Sequence, residues 1–90
     1  MIDRKALQQA LRQRLGTELP EQATLHINEA LQMAGLLEAQ GFEFRLLDAR
    51  PKSPDCNLWR AVFAKEDRLF QQEDPDAALA VCQAALAALS

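Results

Sequence analysis

Ninety residues, 49% hydrophobic and 26% charged, describe one small globular domain rather than a disordered or fibrous chain. A domain of this size buries only about 60–65% of its unfolded surface, so the core is thin and a second subunit is a common source of stability. No run approaches the roughly 18 apolar residues of a membrane span, and a formal net charge of −3 makes nucleic acid a poor default partner.

The N-terminus, Met1-Ile2-Asp3-Arg4-Lys5, leads into polar–apolar alternation rather than the apolar centre of a signal peptide, which points to the cytoplasm. Cys56 and Cys82 make neither a C-x-x-C pair nor a disulfide framework. Charge is spread unevenly. Residues 21–41 carry three acids and no base, whereas 42–65 carry five bases and three acids. Alternating signs of this kind describe solvated faces before they describe a ligand site.

The first helix is predicted over 3–15. Asp3 suits the N-cap, Leu7, Leu11 and Leu15 recur every fourth residue, and Gly16 suits the position just beyond the C-terminal end. A second helix is predicted over 20–40, opened by Pro20 and stopped by Gly41. Ala23, Ile27, Ala30, Leu31, Ala34 and Leu37 would form its buried stripe. Leu25 and Leu36 fall together on the far side, either covered by a second layer or exposed as an apolar pair available to a partner.

The period then changes to strict alternation. Phe42, Phe44 and Leu46 point one way and Glu43, Arg45 and Leu47 the other, which predicts a strand over 42–48. Residues 49–57 carry Pro51 and Pro54 and read as a loop. A second strand follows over 58–64, with Trp59, Ala61 and Phe63 on its apolar side, antiparallel to the first. Arg68-Leu69-Phe70 is a candidate third strand. Asp74-Pro75 reads as an N-cap and first helical residue, opening a helix over 75–89. Leu79, Cys82, Ala85, Leu86 and Leu89 give that helix a core stripe, expected to cover Trp59 and Phe63. Its other side, including Ala80, Ala84 and Ala87, carries no charge. Such a face either admits a close partner backbone or simply reflects alanine's helix propensity.

No constellation for chemistry emerges. His26, the only histidine, falls at the edge of the apolar arc of the second helix, a packing position. Zinc would require Cys56, Cys82 or carboxylates to converge on it without the usual close spacing. Cys82 sits on a core stripe, where a thiolate is poorly solvated. The acids Glu66, Asp67, Glu73, Asp74 and Asp76 lack the alternating ligands and central glycine of a calcium loop. The three glycines are isolated, so there is no phosphate cradle. No catalytic residue, metal or cofactor is therefore expected. The basic residues of the hairpin, Arg45, Arg50, Lys52, Arg60 and Lys65, offer the one nucleic-acid surface, with Trp59 as a stacking candidate that alternation assigns to the core instead.

Three segments resemble a small phage and prophage family, the phage ABA sandwich domain. They are Leu36-Leu37-Glu38-Ala39-Gln40-Gly41-Phe42-Glu43-Phe44, Trp59-Arg60-Ala61-Val62-Phe63, and Asp76-Ala77-Ala78-Leu79-Ala80-Val81-Cys82-Gln83-Ala84-Ala85-Leu86. Arg4-Lys5-Ala6-Leu7 and Arg14-Leu15-Gly16 are similar to the family's opening helix. The resemblance implies a layered α/β fold and a phage or prophage origin in a bacterial host, and no catalytic residue.

The expected fold is α+β: two N-terminal helices, an antiparallel sheet of two to three strands, and a C-terminal helix packed on the sheet in an α/β/α sandwich. The expected role is that of a non-enzymatic accessory protein binding an unidentified host or phage protein, and a homodimer is expected. The partner surface is read as Leu25, Leu36, Ala80, Ala84 and Ala87. The alternative is weak nucleic-acid contact through Arg45, Arg50, Lys52 and Arg60.

Overall fold

The computed structural model describes residues 3–48 and 58–89, and the expected α+β class is what it contains. In chain order the elements are α1 (Arg4–Leu15), a 3-10 turn (Gly16–Glu18), α2 (Ile27–Glu38), β1 (Glu43–Asp48), β2 (Trp59–Lys65), β3 (Arg68–Asp74) and α3 (Ala77–Leu89). No helix among these residues is long and apolar enough to cross a membrane.

Helix α1 begins and ends as its sequence dictates. Asp3 is extended, and its Oδ1 accepts from the backbone N–H groups of Lys5 (3.0 Å) and Ala6 (3.4 Å). These are two of the donors that every helix start leaves unpaired. Gly16 closes the helix at φ 70°, a conformation that a side chain would strain. Leu7 and Leu11 are buried.

The second helix starts seven residues later than predicted. Pro20 opens only turns, and His26 is extended (φ −122°, ψ 126°) before α2 begins at Ile27. The reason is tertiary. A continuous helix needs the carbonyls of Ala23 and Thr24 for the N–H groups of residues 27 and 28. Here the Cys82 thiol donates to the Ala23 carbonyl at 3.3 Å, and the Arg4 guanidinium donates to that of Thr24. The Glu29 carboxylate reaches back to the Gln22 N–H at 3.1 Å and pins the turn.

The sheet has the order β1-β2-β3, antiparallel throughout. Phe63 pairs in register with Phe44 on one side and Phe70 on the other. The candidate third strand runs on to Asp74, well past Phe70. Gln71, Gln72 and Glu73 have little intrinsic strand preference, but the open edge of β2 supplies their backbone partners. Because of that extension, the cap of α3 also moves. Asp76, not Asp74, accepts from the N–H groups of Ala78 (2.9 Å) and Leu79 (3.3 Å). Asp74 instead accepts from the Asp76 N–H at 2.8 Å and the Gln83 amide at 3.0 Å, leaving Pro75 outside the helix.

The C-terminal helix packs on the three-stranded antiparallel sheet, as expected, and the two N-terminal helices lie against that helix. Helix α3 packs on β2 and β3 with one side and on α1 and α2 with the other. Ala78 through Cys82, Ala84 and Ala85 are all buried, as an apolar-all-round helix requires. The central layer is therefore α3, and the sheet lies outermost. Phe63 is fully buried beneath α3, with Trp59 half-buried on the same sheet face.

Candidate functional site

Among the described residues, the face of the sheet that no helix covers is the most distinctive surface. Alternation sends Phe44, Leu46, Ala61, Phe63 and Phe70 inward, so the intervening residues of all three strands point to solvent. Registration sets these outward residues in rows across the sheet. Glu43, Ala64 and Leu69 form the first row, Arg45, Val62 and Gln71 the second, and Leu47, Arg60 and Glu73 the third. Leu47, Val62 and Leu69 therefore lie on one diagonal, with Ala64 beside it. Leu47 is 45% exposed and Leu69 65%, and a depression of about 270 Å³ runs along this stripe.

The flanks of the stripe are balanced in charge. Glu43 and Arg45 stand on one side. On the other, Arg60 and Glu73 are cross-strand partners joined by an ion pair of 3.3 Å. Two acids against two bases leave no net charge on the face. A pair exposed to this extent adds little stability.

The residues expected to bind a partner are not brought together. Leu25 stands in the turn before α2, 55% exposed, on a cleft of about 480 Å³ shared with Arg4, Lys5, Gln8 and Glu21. Leu36 is half-buried on α2, so the two never form a pair on one helix face. Ala80 and Ala84 are fully buried and Ala87 is half-buried. The alanine side of α3 is occupied by the protein itself, because a middle-layer helix needs small residues where two layers close on it.

Arg45 and Arg60 share the outer face with the two acids, while Arg50 and Lys52 lie outside the described residues. Lys65 belongs to the inward alternation, its ammonium 5.1 Å from the centre of the Phe42 ring. Trp59 faces the core side, away from Arg45 and Arg60. Alternation alone sets Leu47 on the side opposite Phe44. Leu69 escapes sequence reading as its outward companion, because β3 has so weak a strand signature.

His26 is exposed at the start of α2 rather than packed at an apolar edge. Among the described residues no group of three His, Cys, Asp or Glu side chains could hold a metal ion. Cys56 lies outside them. Cys82 is fully buried, and its thiol is pushed up from 9.0 to about 12, first by burial and then by the nearby Asp76 carboxylate, against the opposing charge of Arg4. It stays protonated and unreactive at neutral pH.

That shift has a sign. A thiol that holds its proton more tightly when folded contributes stability that is complete below the unfolded value and is lost as pH rises toward the folded one. Stability relative to a Cys82→Ala chain is therefore expected to fall between pH 9.0 and about 12, read by thermal unfolding. In a Cys56→Ser chain, alkylation of Cys82 at pH 8 is expected only after denaturant is added. Rapid labelling of the folded chain would contradict its burial.

Comparison with family models, with curated proteins and with solved structures finds no match to this chain.

Proposed function

We propose that this protein is a non-catalytic binding module that docks against another protein through the outer face of its sheet. One observation carries the reading, the apolar diagonal of Leu47, Val62 and Leu69, which no described element covers. A sheet face normally buries its apolar residues against a second layer, and this one keeps two leucines in water. Polar rims around an apolar centre are the anatomy of protein interfaces. The balance of Glu43 and Glu73 against Arg45 and Arg60 favours a protein surface over a polyanion, whose binding draws on an excess of cations. The accessory role in phage or prophage biology, which the family resemblance implies, belongs to the same proposal.

A photoreactive phenylalanine analogue placed at Leu69 or Leu47 tests it in cells that express the protein. Discrete adducts are expected from both positions on irradiation, and none from Gln32, which is exposed on α2. Adducts from Gln32 alone, or none from either leucine, would remove the sheet face from consideration.

A further inference from the structure

The outward rows carry enough geometry to ask what shape complements them. Strands lie about 4.8 Å apart, and residues on one face recur about every 6.8 Å along a strand. On that grid the apolar diagonal is centred on Val62, with Leu47 and Leu69 equidistant from it. Consider a two-fold axis lying in the plane of contact, passing over Val62 and perpendicular to the diagonal. It lays Leu47 on the partner's Leu69 and Val62 on the partner's Val62. The same rotation brings Glu43 to within about 4 Å, in projection, of the partner's Arg45, and each such contact occurs twice. Arg60 comes over the partner's Gln71, an amide able to accept from it. Glu73 likewise comes within about 4 Å, in projection, of the partner's Gln71. At each flanking position the nearest polar group across the contact is thus an opposite charge or an amide. The like pairs Arg45–Arg45 and Glu73–Glu73 stand farther off, at about 6 Å.

We infer that the occupant of this face is a second copy of the chain, packed sheet to sheet about a two-fold axis at Val62. The inference rests on the docking reading above and adds the identity and geometry of the partner. A face three strands wide and three outward residues deep has roughly 500 Å² of accessible surface, so two copies bury about 1,000 Å², the lower limit for a specific interface. Area does not fix affinity, but interfaces at this limit belong to the weak, reversible class, and a dissociation constant on the order of 10–100 µM is the expected range. An interface of this strength leaves the monomer folded, because Phe63 and the α3 core lie behind the sheet and do not depend on the contact.

Sedimentation equilibrium over roughly 5–500 µM spans that range. The full chain is expected to pass from its monomer mass of 10.0 kDa to twice that value. The double variant Leu47→Asp with Leu69→Asp should weaken association by at least about tenfold, because it charges both ends of the apolar stripe. Unchanged far-ultraviolet circular dichroism would show that it still folds. In a Cys56→Ser background, Val62→Cys should cross-link to itself with a short bis-maleimide, since the axis places position 62 against its own copy, whereas Gln32→Cys should not. The span of that reagent suits the roughly 10 Å between packed sheets, where a direct disulfide would not reach. A chain that stays at its monomer mass throughout, dimerisation indifferent to the aspartates, or cross-linking at Gln32→Cys equal to that at Val62→Cys would each overturn the inference. The docking reading is separable from it. Photo-adducts at Leu69 that persist with a different protein, from a chain that sediments as a monomer, would end the dimer and leave docking in place. An absence of adducts and of dimer would end both.

Discussion

Phe63→Ala is expected to cost about 3–5 kcal/mol, among the largest losses available to a single truncation in this chain. Phe63 lies on the inward face of the central strand and is fully buried. Its ring stands edge-on to Phe42 at 6.3 Å and tilted against Phe44 at 4.9 Å, with Phe70 paired across β3. Removing it deletes apolar surface and also the inner member of this aromatic group, so the rings left behind face a void. Collapse into that void is restricted, since Phe44 and Phe70 are held by ladder register on both sides and α3 is held by two layers. A domain of this size has about 5–13 kcal/mol of total stability, so the loss consumes a large share of it. Each kcal/mol shifts the melting temperature by roughly 4–8 °C in a domain this small. A calorimetric fall of less than about 5 °C would mean that the aromatic group is not the centre of the core.

The same residue illustrates how much of the fold the sequence makes legible. Alternation from Phe42 to Leu47 and from Trp59 to Phe63 states which side chains point inward, and two such runs around a proline-bearing loop state that they pair. Helix α1 is equally plain, because its cap, its four-residue leucine repeat and its closing glycine are all local. What escapes local reading depends on contacts between distant segments. The true start of α2 is set by Arg4, 20 residues before Thr24, and by Cys82, 59 residues after Ala23. Nothing between Pro20 and Gln40 announces that two carbonyls there are already engaged. Strand β3 is similar, since Gln71, Gln72 and Glu73 become a strand only once β2 offers them an edge.

The candidate site is half legible for a related reason. That Leu47 points away from Phe44 follows from alternation alone. That it shares a diagonal with Val62 and Leu69 requires the register of both hairpins, and a shift of one residue would turn each strand's outward set inward. Exposure of α3 is the harder question. An uncharged alanine side is what an exposed good helix former looks like, and equally what a helix packed between two layers looks like. Sequence period cannot separate these, because it reports which residues share a side and says nothing of how many layers surround the helix.

Ala84→Gln separates them by measurement, and is expected to destabilise the protein by about 2–6 kcal/mol. On an exposed helix face this exchange lies within about 0.5 kcal/mol of neutral, since the two residues differ little in helix propensity. At Ala84 the methyl group is fully buried in the middle layer. Two costs therefore add. The longer side chain must displace packed neighbours, which costs about 1–3 kcal/mol in a dense core. Its amide is also taken out of water with no arranged partner, at about 1–3 kcal/mol more. Ala84→Gly provides the control. It removes a methyl group and adds helix-interior flexibility, for a loss of about 1 kcal/mol from propensity alone. The expected order by urea unfolding is therefore wild type, then the glycine variant, then the glutamine variant as the least stable chain. A glutamine variant as stable as wild type would place α3 at the surface and return the alanine side to the role of a partner face. A large loss in the glutamine variant, together with unimpaired self-association of whatever fraction remains folded, would fix α3 as internal structure and leave the sheet's outer face as the surface on which binding depends.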